Sequence, residues 1–168
     1  MEYEPIEFIF TEEERKLAAD EGYRRHNIDK EIGAKPRNGA PEEEEKALLL
    51  SLYGAAGEMA VASYLGLKDS LFQEKLPVRG SVDIPPNIDV KTAMAHRHNL
   101  IVQLDDIKTK TYVLVTIENK KCIIHGWVIG ERVMRDININ DPVGGRPAYF
   151  ITKGLLNPIS ELKQLLSK

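Results

Sequence analysis

Residues 81–92 read SVDIPPNIDVKT, so Asp83 and Asp89 stand on either side of a Pro85-Pro86-Asn87 turn and Lys91 follows two places after Asp89. On an extended strand successive side chains face opposite ways, which puts Asp89 and Lys91 on one face and Ile88, Val90 and Thr92 on the other. Asp83 interrupts Val82 and Ile84 in the same manner, so two acids and a lysine can converge across the turn. Hard cations such as Mg²⁺ take a few carboxylate and carbonyl oxygens, keep water, and bind substrate phosphates at their open positions. Asp83, Asp89 and the Val90 carbonyl suit that task. Lys91 is placed to orient or help deprotonate an attacking water and to stabilise charge on a phosphorus centre.

A third acid belongs with them. Glu58 lies in a helical stretch whose neighbours at three and four places are Gly54, Ala55, Val61 and Ala62, so its carboxylate projects from a small, apolar face. A charge there is costly unless it is paired or bound to a metal. Gly54 and Gly57 each cost a helix interior about 1 kcal/mol relative to alanine, a loss that close approach of a sheet would offset.

An acid-x-Lys triplet alone carries little information, because Glu14, Glu44, Asp106, Glu118 and Glu161 also begin one. Most of those read as surface charge pairs. Asp89-Val90-Lys91 is set apart by its apolar flanks, the acid upstream and the Gly57-Glu58 helix before both. Arg79 and the loop His96-Arg97-His98 flank the segment and could grip a phosphate backbone, giving affinity without sequence information. Lys108, Lys110, Lys120 and Lys121 gather near two loops, and Trp127 and His125 read as core and edge residues.

The elements that must position these groups follow from periodicity. Thr11-Glu12-Glu13-Glu14 has the form of a capping box opening an amphipathic helix to about His26. A linker over 33–41 leads to a second helix that starts near Pro41, carries Glu42 to Glu45 at its positive end, is apolar nearly all round, and stops at Gly66. From Leu71 the pattern turns to strands: 71–74, 81–84, 88–92, 100–104, then a hairpin of 111–118 and 122–129, and finally 148–152. A short helix over 158–166 ends the chain. The expectation is one α/β domain over 1–168, with a helical extension over 1–40 and a core over 41–168.

The 168 residues are 42% hydrophobic and 29% charged, which excludes a disordered or fibrous chain. Net charge is −3, but it is unevenly spread: residues 1–45 sum to −7 and residues 46–168 to +4, so an overall acidic balance does not exclude a polyanionic partner. Met1 to Phe10 carries three glutamates without a basic lead, which predicts no secretory signal and a cytoplasmic location. No membrane span is expected. Cys122, the single cysteine, excludes an intramolecular disulfide and reads as a buried thiol.

Gly57-Glu58 on a helix, then Asp83, then Asp89-Val90-Lys91 resembles the PD-(D/E)xK phosphodiesterase superfamily, which includes restriction endonucleases, archaeal Holliday-junction resolvases and phage exonucleases. The resemblance covers residues 48–129, and the hairpin after Lys91 is similar to small phage or mobile-element members. It implies a restriction-endonuclease-like αβββαβ core with a mixed central sheet, Mg²⁺ or Mn²⁺ on Glu58, Asp83 and Asp89, beside the Val90 carbonyl read above, Lys91 as catalytic lysine, and nucleic acid, DNA first, as substrate. Val82 stands where the eponymous proline would be, and Gln103 is followed at the fourth place by Ile107 rather than tyrosine. Cutting two strands would be simplest for a homodimer. Two other readings stand beside it: a nucleic-acid-binding module that keeps the fold without cutting, and a metalloenzyme built on His96 and His98.

Overall fold

In the computed structural model, described over residues 3–33, 43–72, 81–95 and 98–168, helices pack on one face of a mixed sheet and a second sheet covers the other. In chain order the elements are β1 (Ile6–Phe8), α1 (Glu12–Ile32), α2 (Glu44–Leu65), β2 (Ile88–Ala93), β3 (Leu100–Gln103), β4 (Thr111–Glu118), β5 (Lys121–Ile129), α3 (Gly130–Val133), β6 (Ile139–Asn140), β7 (Ala148–Ile151) and α4 (Ile159–Leu166). The first sheet runs β1-β5-β4-β2, with β2 parallel to β4 and the other pairings antiparallel. The second, β3-β7-β6, is antiparallel throughout.

Strand β4 shows why there are two layers of core. Val113, Val115 and Ile117 point to the helices and pack with Met59, Val61, Ile88, Val90, Ile124 and Ile159. The alternate residues Tyr112 and Leu114 point to the second sheet and meet Leu100, Val102, Val128, Tyr149 and Ile151. A strand covered on both faces has no polar side, and TYVLVTIE accordingly reads as a continuous apolar run rather than an alternating one.

The capping box forms as expected: Glu14 N donates to Thr11 Oγ1 at 3.1 Å and Thr11 N to Glu14 Oε1 at 2.9 Å. Helix α1 runs six residues beyond the expected end, to a left-handed Gly33, and Gly66 closes α2 with φ of 76°. Glycines explain the close layers. A Cβ at Gly22 would meet Leu52 Cα at 2.7 Å, and one at Gly57 would meet Thr92 Oγ1 at 2.1 Å. The expected role of Gly54 is not seen, since nothing lies within 4 Å of a Cβ there. By length and composition α2 could cross a membrane, with a mean hydropathy of 1.3 in its most apolar window, but it lies against α1 and strands β2, β4 and β5.

The expected hairpin is present, turning at Asn119 and Lys120, both left-handed. Other expectations need correction. Residues 81–84 form a single bridge, Ile84 to Ile88, rather than a strand, because the next outward N–H of β2, that of Val90, goes to the Asp83 carboxylate and not to a backbone carbonyl. Strands β3 and β7 form a sheet of their own instead of extending the central one. Of the expected strand over 71–74, residues 71–72 are a turn and the rest lies outside the described residues. Strand β1, α3 and β6 are too short to show a period in the sequence. Cys122 is buried, and burial pushes its thiol up to about 12.

Candidate metal and phosphate site

Strand β2 is the last described strand of its sheet, and the chemistry gathers along its outer rim. The turn 84–88 is held by Ile84 N to Ile88 O and Ile88 N to Ile84 O, both 3.0 Å, which brings Asp83 back beside the strand. Asp83 Oδ2 accepts the Val90 N–H at 2.7 Å. In an extended strand a residue's N–H and C=O point the same way, so the Val90 carbonyl faces the same rim. Asp83 and Asp89 stand within hydrogen-bond range of one another. Burial first, then the charges of Glu58 and Asp89, push the Asp83 carboxyl well above the usual carboxylate range, against the opposing Val90 N–H. Carboxyls this close are relieved by a shared proton or by nearby positive charge, whether a bound cation or an ammonium group.

Asp89 is buried, and each of its oxygens faces a lysine. Lys91 Nζ lies 3.5 Å from Oδ1 and Lys110 Nζ 3.1 Å from Oδ2. Lys110, itself buried, also donates to the Ser81 carbonyl at 2.8 Å, while Thr111 N donates to the Asn87 carbonyl at 2.9 Å. The 110–111 corner thus stitches both ends of the Asp83 turn to Asp89. Lys91 Nζ reaches Asp106 Oδ2 at 3.1 Å and lies 5.6 Å from the centre of the Tyr112 ring. Asp106 is anchored by Gln103 N at 2.9 Å.

Glu58 enters from α2, on the Thr92 side of β2. Both its oxygens accept from Arg25 of α1, at 2.8 and 2.6 Å, and Arg25 Nε donates to Glu21 at 2.9 Å. Burial acts to lower the Arg25 pKa, but Glu58 and Glu21 outweigh it and raise it.

Asp83, Asp89, the Val90 backbone and Lys91 are therefore brought together, with Glu58 close enough to be felt by Asp83 but occupied by an arginine. Among the described residues no three Asp, Glu, His or Cys side chains form a metal-holding group. Two carboxylates and a carbonyl fit Mg²⁺ or Mn²⁺ nonetheless, since these ions are commonly held through one or two carboxylates plus water and substrate phosphate. His98 lies in the loop after β2 with Nδ1 3.0 Å from the Ala95 carbonyl. Arg79, His96 and Arg97 lie outside the described residues.

Three participants escaped the sequence reading. Arg25 sits on a helix treated as an outer extension. Asp106 was expected to be a surface charge, and Lys110 was grouped with loop lysines. The one available signal was the place of Lys110 directly before an unbroken apolar strand. Trp127 is in the core as expected, its Nε1 donating to the Pro158 carbonyl at 3.1 Å. His125 is buried, not at an edge: a bulge in β4–β5 turns it inward between Thr116, 2.6 Å away, and Tyr3. No protein-family model, no curated protein and no solved structure matches this chain.

Proposed function

We propose that this chain is a divalent-cation-dependent phosphodiesterase that hydrolyses nucleic acid, DNA first, on a restriction-endonuclease-like core. One observation carries the reading: Asp83 and Asp89 interact at the rim of β2, where Asp83 takes the Val90 N–H, with Lys91 alongside Asp89. An α/β fold with a helix packed on a mixed sheet is compatible with it. The long helix usual in that superfamily after the lysine strand has no counterpart over 98–110, which hold β3 and turns.

Asp83, Asp89 and the Val90 carbonyl would hold Mg²⁺ or Mn²⁺, which when bound makes its water a better nucleophile and offsets phosphate charge. The chain supplies the rest. Lys91, steadied by Asp106, donates to the attacking water and to the phosphate oxygens as charge builds on phosphorus. Lys110 fixes the rotation of the Asp89 carboxylate and ties it to the Asp83 turn. Overall, one water is consumed, one P–O bond breaks, and a phosphomonoester and a hydroxyl result.

A second reading, a non-cutting nucleic-acid-binding module, is favoured by a specific feature: Arg25 balances Glu58, and two lysines balance Asp89. The test is a panel of labelled single-stranded, duplex and branched DNA, with RNA counterparts, incubated with Mn²⁺ or EDTA. Metal-dependent cutting lost in Asp89→Ala supports the phosphodiesterase; salt-sensitive binding without cutting supports the module.

A further inference from the structure

Arg25 has no place in the chemistry above, yet three side chains hold it. Its Nε is anchored by Glu21, its guanidinium carbon lies 5.5 Å from the centre of the Phe72 ring, and its two terminal nitrogens grip Glu58. The side chain is 31% exposed, so solvent and ligands reach it. We infer that Arg25 is a substrate-phosphate contact of this site, and that the Glu58 carboxylate sits in its fork as the group a phosphate displaces. The inference rests on the phosphodiesterase reading and names a binding residue for it.

A guanidinium that takes a carboxylate end-on through two parallel N–H bonds takes two phosphate oxygens in the same way. Glu21 and Phe72 hold the fork in place when its ligand changes. Gly57, next to Glu58, packs directly on Thr92 of β2, and the charge of Glu58 is felt at Asp83, so freeing Glu58 from Arg25 strengthens the negative field at the cation site, and phosphate binding and cation binding favour each other. A purely structural clamp between α1 and α2 is redundant here. Gly22 already lets α1 pack directly on Leu52, and Ser63 of α2 donates to Glu14 of α1.

The test measures binding, with no turnover. Fluorescence anisotropy of labelled single-stranded and duplex DNA in EDTA compares wild type, Arg25→Met, Glu58→Gln and the double variant; Mn²⁺ titration followed by electron paramagnetic resonance, without DNA, covers the same set and Asp89→Ala. Arg25→Met should weaken DNA binding about tenfold and reduce the salt slope by about 1, while tightening Mn²⁺ binding because Glu58 is released. Glu58→Gln should tighten DNA binding, and the double variant should lose that gain. Should Arg25→Met not fold, Glu58→Gln and the double variant, which leaves no unpaired Glu58 charge, decide the matter. A gain in Glu58→Gln that persists without Arg25, or no gain, overturns the inference. If wild type binds Mn²⁺ and Asp89→Ala does not, that failure belongs to Arg25 alone; if wild type binds neither Mn²⁺ nor DNA, the phosphodiesterase reading falls and takes this inference with it.

Discussion

Asp83 and Asp141 are both loop aspartates that accept backbone N–H groups, and their carboxyls are shifted in opposite directions. Asp141 takes the N–H groups of Arg146, Gly145 and Gly144 at 3.1, 2.7 and 3.0 Å in an exposed loop, and these bonds hold its carboxyl below the usual range. Asp83 takes one N–H at the rim of β2, and burial with the charges of Glu58 and Asp89 drives it upward. The first carboxylate is satisfied by its own loop and serves to shape it. The second is buried beside Glu58 and Asp89, whose charges Arg25, Lys91 and Lys110 balance, and a bound cation would relieve the crowding left at Asp83 itself.

The largest effect should fall on the crowded group. Asp83→Ala or Asp89→Ala should lower Mn²⁺-dependent cleavage by about 10³-fold or more, read by gel assay of the labelled panel. Lys91→Ala should cost about 10²-fold or more in kcat while Mn²⁺ binding persists, which separates the lysine that serves the reaction from the acids that hold the ion. Gly57→Ala should destabilise the fold by about 1–3 kcal/mol in urea unfolding, because its Cβ would meet Thr92 Oγ1 at 2.1 Å and push α2 off β2. The smallest effect should come from Asp141→Asn. A carboxyl with a depressed folded-state pKa adds stability above its unfolded value and loses it as the pH falls through the folded one. The substitution should therefore flatten the acid limb of the melting temperature and leave cleavage at neutral pH unchanged. Loss of cleavage in Asp141→Asn would break the comparison.

Local signals survived the passage from sequence to structure, and distant partnerships did not. The capping box at Thr11, the stop at Gly66 and the hairpin around Asn119 each depend on neighbours a few residues apart, so the chain itself announces them. The convergence of Asp83 and Asp89 could be read for the same reason, since one turn joins them. Arg25 and Glu58 are 33 positions apart and Lys110 and Asp89 are 21 apart. No period links such pairs, and only the packing of α1 on α2, and of the 110–111 corner against the Asp83 turn, creates them. The second sheet was hidden by a related cause: a four-residue strand such as β3 is too short to say which sheet it joins.

The most direct measurement is diffraction from crystals grown with Mn²⁺, recorded at an energy where manganese scatters anomalously. The account predicts one strong anomalous peak at the β2 rim, bounded by Asp83, Asp89 and the Val90 carbonyl. A map with no peak there, at a Mn²⁺ concentration that supports cleavage, would contradict it.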